Sequence, residues 1–295
     1  MKRSRIRLFV QAACLAFQNG YLKGFAKGNI YKGPLKKICT PGLNCYSCPG
    51  AITSCPIGAL QAVSGSSSFT LSLYVLGFIV AVGAFSGRFV CGWICPFGLV
   101  QRLLYRIPLM RKRKNLPGHR VLKYLKYVIL ILFVFLLPVF LGSPAFCQWI
   151  CPSGTLFGAI PLTAVNKSLR ALIGSTFLWK LALLVLVIIL SVKYARPFCK
   201  YLCPLGALYG LFNPVSVHHL EVDHDKCIRC GKCMDACPMD VSIWENPESM
   251  ECIRCMECID ACKRGAIRST IEFRGGKCIS SAHDRHRNCK QRKTR

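Results

Sequence analysis

The chain has 295 residues, 53% of them hydrophobic, with 21 cysteines and a formal net charge of +28. That length accommodates a membrane domain and one small soluble domain. No Asp or Glu precedes Glu221, which excludes carboxylate acid/base pairs, carboxylate proton relays and oxygen-rich Mg or Ca sites from everything before it. Much of the positive charge flanks apolar runs, in KRSRIR at the start and RIPLMRKRKNLPGHR at 106–120, a pattern of positive-inside anchoring rather than of nucleic-acid binding.

In chain order, the basic start followed by IRLFVQAACLAF has the outline of a signal peptide. It has no small-residue cleavage site, and Gln11 argues against a lipoprotein reading of Cys14. The segment is therefore expected to be an uncleaved first helix, with Cys14 as packing. Four segments approach the roughly 20 apolar residues that a hydrocarbon core of about 30 Å requires: 6–25, 69–87, 121–141 and 177–194. Gln11, Gln18, Asn19 and Lys23 interrupt the first. A cytoplasmic basic loop at 106–126 puts both chain ends in the cytoplasm if all four span. Five lysines from Lys23 to Lys37 then lie outside, against the same rule.

The cysteine motifs form an internal repeat. CGWICPFGLV at 91, CQWICPSGTL at 147 and CKYLCPLGAL at 199 share C-x-[WY]-[IL]-C-P-x-G, and SCPIGAL at 54 keeps the second half. The predicted fold class is an α-helical membrane protein of four transmembrane helices in two tandem helix-pair repeats over 1–215. A small α+β two-cluster ferredoxin domain at 216–272 and a basic tail at 273–295 follow. Cys278 and Cys289 in that tail have no interpretable spacing.

Cys227-x2-Cys230-x2-Cys233-x3-Cys237-Pro recurs as Cys252-x2-Cys255-x2-Cys258-x3-Cys262. This is the run of the bacterial two-cluster ferredoxin, in which the fourth cysteine ligates the other cluster. One [4Fe-4S] centre is assigned to Cys227, Cys230, Cys233 and Cys262, the other to Cys252, Cys255, Cys258 and Cys237. Structural zinc prefers two separated C-x2-C knuckles. Lys263 replaces the proline that follows the first motif, which alters a turn and no ligand. The resemblance to bacterial two-cluster ferredoxins covers about 218–272 and implies a βαββαβ module carrying single electrons.

The orientation above puts Cys91, Cys95, Cys199 and Cys203 on one face, two and two, as a third [4Fe-4S] site at the inner membrane face. Proline after the second cysteine suits the first turn of a helix whose N-terminus favours a thiolate or an anionic cluster. On the outer face the count is six. Cys48, Cys55, Cys147 and Cys151 are taken by symmetry as a fourth site, with Cys39 and Cys45 as alternative ligands or as a disulfide; the other reading is that Cys39, Cys45, Cys48 and Cys55 hold a cluster unaided. Cofactors are thus two [4Fe-4S] clusters and up to four.

There is no C-x-x-C-H for covalent haem, no histidine within a spanning segment, and no nucleotide or flavin motif. Repeated C-x3-C-P motifs at helix ends, four helices and a C-terminal two-cluster ferredoxin resemble the membrane polyferredoxins of the periplasmic nitrate reductase system and the nitrous oxide reductase accessory proteins. The extra motifs CTPGLNCYSCPGAITSCP and CQWICPSG depart from that pattern and put a strictly nitrate-linked role in doubt. The resemblance implies a multi-pass protein of the cytoplasmic membrane, its ferredoxin domain in the cytoplasm. It would pass single electrons from a ferredoxin-like donor or the quinone pool to a flavin-binding or reductase acceptor outside, with membrane lipid around it and no nucleic acid. A bilayer about 30 Å thick is a long gap to cross, so the C-x3-C-P loops are expected to dip inward, or a bound cofactor to bridge it. The alternatives are a thiol-redox or metal-handling protein and a membrane-tethered redox sensor.

Overall fold

A computed structural model describes residues 2–64, 69–171 and 173–272. Cys278, Cys289 and the basic tail lie outside the described residues. Each cysteine motif breaks a helix in the same way. A five-residue helix holds the first cysteine (Phe89–Trp93, Ala145–Trp149, Pro197–Tyr201), the second cysteine is extended, and the proline after it opens the next helix. Pro96–Arg106, Pro204–Phe212 and Pro56–Ser64 all begin on such a proline, whose missing N–H costs nothing at the first helical position.

Among the described residues, two helices are long and apolar enough to cross a membrane. They are His119–Leu141, 23 residues with mean hydropathy 2.5, and Ser175–Lys193, 19 residues with mean hydropathy 2.3. At 1.5 Å per residue they reach about 34 Å and about 28 Å. The other two expected spans are less regular. The apolar stretch Leu73–Ser86 is shorter. The first segment is a helix over Lys2–Gln18 that stops before Tyr21, after which Leu22–Lys27 forms a short second helix. The break at Asn19–Tyr21 is held by the loop at 50–52: Tyr21 N–H donates to Gly50 O, and Ile52 N–H to Gln18 O. Two of the interrupting residues, Gln11 and Gln18, are buried together with Arg7 along one stripe of the helix, whereas Lys23 is exposed.

Strands His218–Val222 and Ile267–Ile271 pair antiparallel, His218 opposite Ile271 and Val222 opposite Ile267. With helices Lys232–Ala236 and Glu257–Ala261 they frame a small core of Leu220, Ile243 and Ile267 beside Cys252 and Cys258. Among the described residues the ferredoxin domain thus has two strands, fewer than the βαββαβ pattern implies. The chain between them turns sharply around the cysteines, with Arg229, Asp240, Arg254 and Met256 at positive φ. Such turns interrupt a sheet ladder.

Candidate metal centres

Cys91, Cys95, Cys199 and Cys203 are all buried at one end of the helical domain. Burial pushes the Cys95 thiol up to about 12, and Cys199 and Cys91 add to the rise. Cys203 is pushed up by burial and then by Cys199, Cys91 and Cys95. The two halves are locked reciprocally: Arg196 Nη1 donates to Cys91 O at 2.8 Å, and Arg88 Nη2 to Cys199 O at 3.2 Å. Each arginine stands three residues before one half's first cysteine and binds the carbonyl of the other half's. Gly98 permits this closeness, because a Cβ there would lie 3.0 Å from Cys91 O.

The sulfurs are also supplied with donors. Gln101 Nε2 reaches Cys199 Sγ at 3.1 Å and Gly206 N–H reaches Cys203 Sγ at 3.4 Å, while the N–H groups of Leu43 and Gly98 point at Cys95. An all-sulfur quartet with N–H groups aimed at it and two buried guanidinium groups beside it fits a [4Fe-4S] cluster. Among the described residues, no group of three or more His, Cys, Asp or Glu side chains is placed to hold a single metal ion.

In the ferredoxin domain, Cys227, Cys230, Cys233 and Cys262 line one cavity of ≈ 170 Å³. Lys226, Arg229, Lys232, Lys263 and Arg264 also line it, and Cys230 is exposed. The other set is buried deeper. Burial pushes Cys252 up to about 12, with Cys237 adding to it, and Cys258 is raised by burial and then by Cys252, Cys255 and Cys237.

The run 250–257, which carries two of these cysteines, lies directly on the helical quartet. Arg88 Nη1 donates to Met250 O at 2.7 Å and pairs with Glu251 at 3.1 Å. Trp93 Nε1 donates to Arg254 O at 3.1 Å, Arg7 Nη1 to Cys255 O at 3.1 Å, and Asn213 Nδ2 to Cys252 O at 2.8 Å. A Cβ on Gly92 would fall 2.5 Å from Ile253 O, so only glycine allows this approach. Trp93 and Tyr201 have specific partners: Tyr201 Oη accepts from Leu116 N–H at 3.2 Å and meets His119 Nδ1 at 3.0 Å.

At the opposite end, a cavity of ≈ 1040 Å³ is lined by Cys39, Cys45, Cys55, Cys147 and Cys151. Cys48 is buried outside that lining, its thiol donating to Asn19 Oδ1 at 3.3 Å. The loop that supplies these cysteines plunges between the helices: a Cβ on Gly42 would be 3.2 Å from the Cα of Cys95. Tyr209 marks how near the two ends come. Its buried hydroxyl has no protein hydrogen-bond partner. Burial raises the phenol, and Cys91 and Cys95 act on it together with Cys55 and Cys39.

Sequence reasoning missed the paired arginines Arg88 and Arg196 and the glutamine Gln101. Their signals were Arg-x-x-Cys at 88–91 and 196–199, and Cys-Pro-x-Gly-x-x-Gln at 95–101, the latter repeated at 55–61.

Residues 68–117, 126–162 and 176–222 match a family described as a 4Fe-4S binding domain, and 219–263 match a 4Fe-4S dicluster domain. An uncharacterized protein of Methanocaldococcus jannaschii is 33% identical over 66% of this chain and 77% of its own length. The methylamine utilization ferredoxin-type protein MauN of Paracoccus denitrificans is 27% identical over 77% of this chain and 72% of its own. The ferredoxin-type protein NapH of Escherichia coli is 30% identical over 62% of this chain and 59% of its own. No solved structure matches the chain.

Proposed function

The chain belongs to the polyferredoxin family of ferredoxin-type 4Fe-4S proteins that includes NapH and MauN, and on that premise we propose that it carries single electrons across the cytoplasmic membrane. The direction proposed is from a cytoplasmic donor, through the ferredoxin end, to an acceptor at the outer face. The observation that carries this reading is the seating of 250–257 on Arg88, Gly92 and Trp93, which brings ferredoxin cysteines against the helical quartet.

In this reading Cys227, Cys230, Cys233 and Cys262 hold one [4Fe-4S] cluster, Cys252, Cys255, Cys258 and Cys237 a second, and Cys91, Cys95, Cys199 and Cys203 a third. When bound, such clusters supply one-electron redox chemistry at potentials set by burial and by hydrogen bonds to sulfur. The chain supplies the thiolates, keeps water from the helical quartet, and offsets its negative charge with Arg88 and Arg196. The basic residues around exposed Cys230 suit an acidic electron donor such as a small ferredoxin.

Membrane residence is supported by the two long apolar helices and by the outward-facing Phe140, Val121, Leu178 and Trp179 along them. The basic stretch at 106–126 makes contacts to the ferredoxin domain, through Lys114 to Met234 O at 3.0 Å and Asn115 to Asp240. Positive charge and ferredoxin then share the cytoplasmic face. We take 1–215 as the membrane unit and 216–272 as the ferredoxin unit.

Proteoliposomes test this reading. With ferricyanide trapped inside and dithionite, a membrane-impermeant reductant, added outside, vesicles carrying the protein with its ferredoxin end outward are expected to bleach the ferricyanide. Protein-free vesicles should not. Equal bleaching rates with and without protein would contradict transmembrane electron transfer.

A further inference from the structure

The far cavity reproduces the architecture of the helical quartet next to the ferredoxin domain. At that first site Gln101 lies six residues after Cys95 and clamps the partner half, with Nε2 on Cys199 Sγ at 3.1 Å and Oε1 accepting from Phe198 N–H at 3.2 Å. At the far end Gln61 lies six residues after Cys55 and does the same, with Nε2 on Cys147 Sγ at 3.3 Å and Oε1 accepting from Phe146 N–H at 2.9 Å. Cys55, Cys147 and Cys151 thus occupy the places of Cys95, Cys199 and Cys203. The place of Cys91, four residues before Cys95, falls on Ala51, so a fourth thiolate has to come from another part of the chain.

Three cysteines in the 39–48 loop are available, and the fold separates them. Cys45 Sγ sits against the helix that follows Cys151, 3.6 Å from where a Cβ on Gly154 would stand and 3.4 Å from one on Gly158. That helix widens to a π-helical turn over Thr155–Ala159, a distortion that recurs at functional sites. Lys36 and Lys180 line the cavity with Cys45. Lys180 also donates to Cys147 O at 3.2 Å. Cys45, Cys55, Cys147 and Cys151 line the same cavity. Cys48 is held on Asn19, and Cys39 is fixed in the cavity wall by its backbone bridge to Ser54.

We propose that Cys45, Cys55, Cys147 and Cys151 hold a [4Fe-4S] cluster in the far cavity, with Gln61 as its positioning residue. Cys48, expected from spacing, is replaced by Cys45. Four thiolates with two lysine ammonium groups and a side-chain N–H donor at one sulfur are the donor set such a cluster takes. The proposal rests on the electron-carrier reading above and adds the terminal site at the outer face.

The test uses the full chain purified anaerobically, read by iron and sulfide content and by EPR. Cys45→Ala and Cys55→Ala are each expected to lose about four irons and the same signal, whereas Cys48→Ala and Cys39→Ala keep both. Retained ferredoxin signals in the same samples separate a lost site from a lost fold. Gln61→Leu should keep its iron and lower the midpoint potential of that one cluster, because an N–H donor to sulfur favours the reduced form. An unchanged potential overturns the role of Gln61. Iron lost from Cys48→Ala or Cys39→Ala and kept in Cys45→Ala overturns the ligand set. About twelve irons in the unaltered chain, with the signal lost from Cys199→Ala still present, would remove the far cluster and leave the third site standing; about eight would remove the electron path through the helical domain.

Discussion

Cys199→Ala is expected to abolish electron transfer between the two ends of the molecule while leaving the ferredoxin signals in place. Cys199 is buried, accepts from Gln101, and offers its carbonyl to Arg88, so its thiol and its backbone both join the two halves of the site. Removing the thiol leaves three ligands, and iron content should fall by about four per chain. Cys91→Ala, on the other half, should remove the same EPR signal. Two different signals lost from the two variants would break the pairing of Cys91 and Cys95 with Cys199 and Cys203. Trapped ferricyanide should bleach in neither variant.

Glu251→Leu should carry the largest stability effect. Glu251 pairs with Arg88 and with Lys126, both fully buried, so the substitution strands two cations away from water. Breaking a buried pair in this way costs about 3–5 kcal/mol, and the loss falls on the seam between ferredoxin and helices. Limited proteolysis should release the ferredoxin domain from the variant far faster than from the unaltered chain. Release at equal rates would show that the seam does not depend on this pair. The pair also has a pH signature. Burial opposes ionisation of Glu251, yet Arg88 and Lys126 outweigh it and hold the carboxyl below its ordinary range. A carboxylate depressed in the folded state stabilises fully above about 4.3 and loses that contribution as pH falls through its lower folded value. Glu251→Gln should weaken docking at neutral pH and flatten this acid dependence.

Some of this was legible in the sequence and some was not, for physical reasons. Three cysteines in seven residues, repeated from Cys227 to Cys252, leave little freedom in how they wrap a cluster. The C-x3-C-P motifs each display only half a site, and their repetition at Cys91 and Cys199 suggested which halves meet. Spacing does not separate Cys45 from Cys48, and the contact that sets Cys48 apart comes from Asn19, 29 residues away, which accepts from its thiol. Gln61 and Gln101 were visible at matching positions, but glutamine is no iron ligand, and its part appears only when its amide is seen bridging a sulfur and a backbone N–H.

The first helix was read as a span weakened by polar interruptions. Arg7 and Gln11 stand four apart on one helical face, and that face packs inward, Arg7 on Cys255 O and Gln11 on Gly92 O at 2.9 Å. The lysines that conflicted with positive-inside anchoring have a local explanation in one case. Lys36 turns inward and donates to Ala51 O at 2.7 Å, so it is buried within the protein rather than presented to a lipid surface. The gap anticipated between the two faces narrows because the 39–48 loop enters the bundle far enough for Gly42 to touch Cys95.

The number of clusters that one chain holds decides whether electrons can pass through the helical domain. Iron and acid-labile sulfide should be counted on the full chain, purified anaerobically, with EPR of the reduced protein on the same sample. Four clusters predict about sixteen irons and sixteen sulfides per chain. About eight of each, with only the ferredoxin signals, would contradict an electron path through the helical domain.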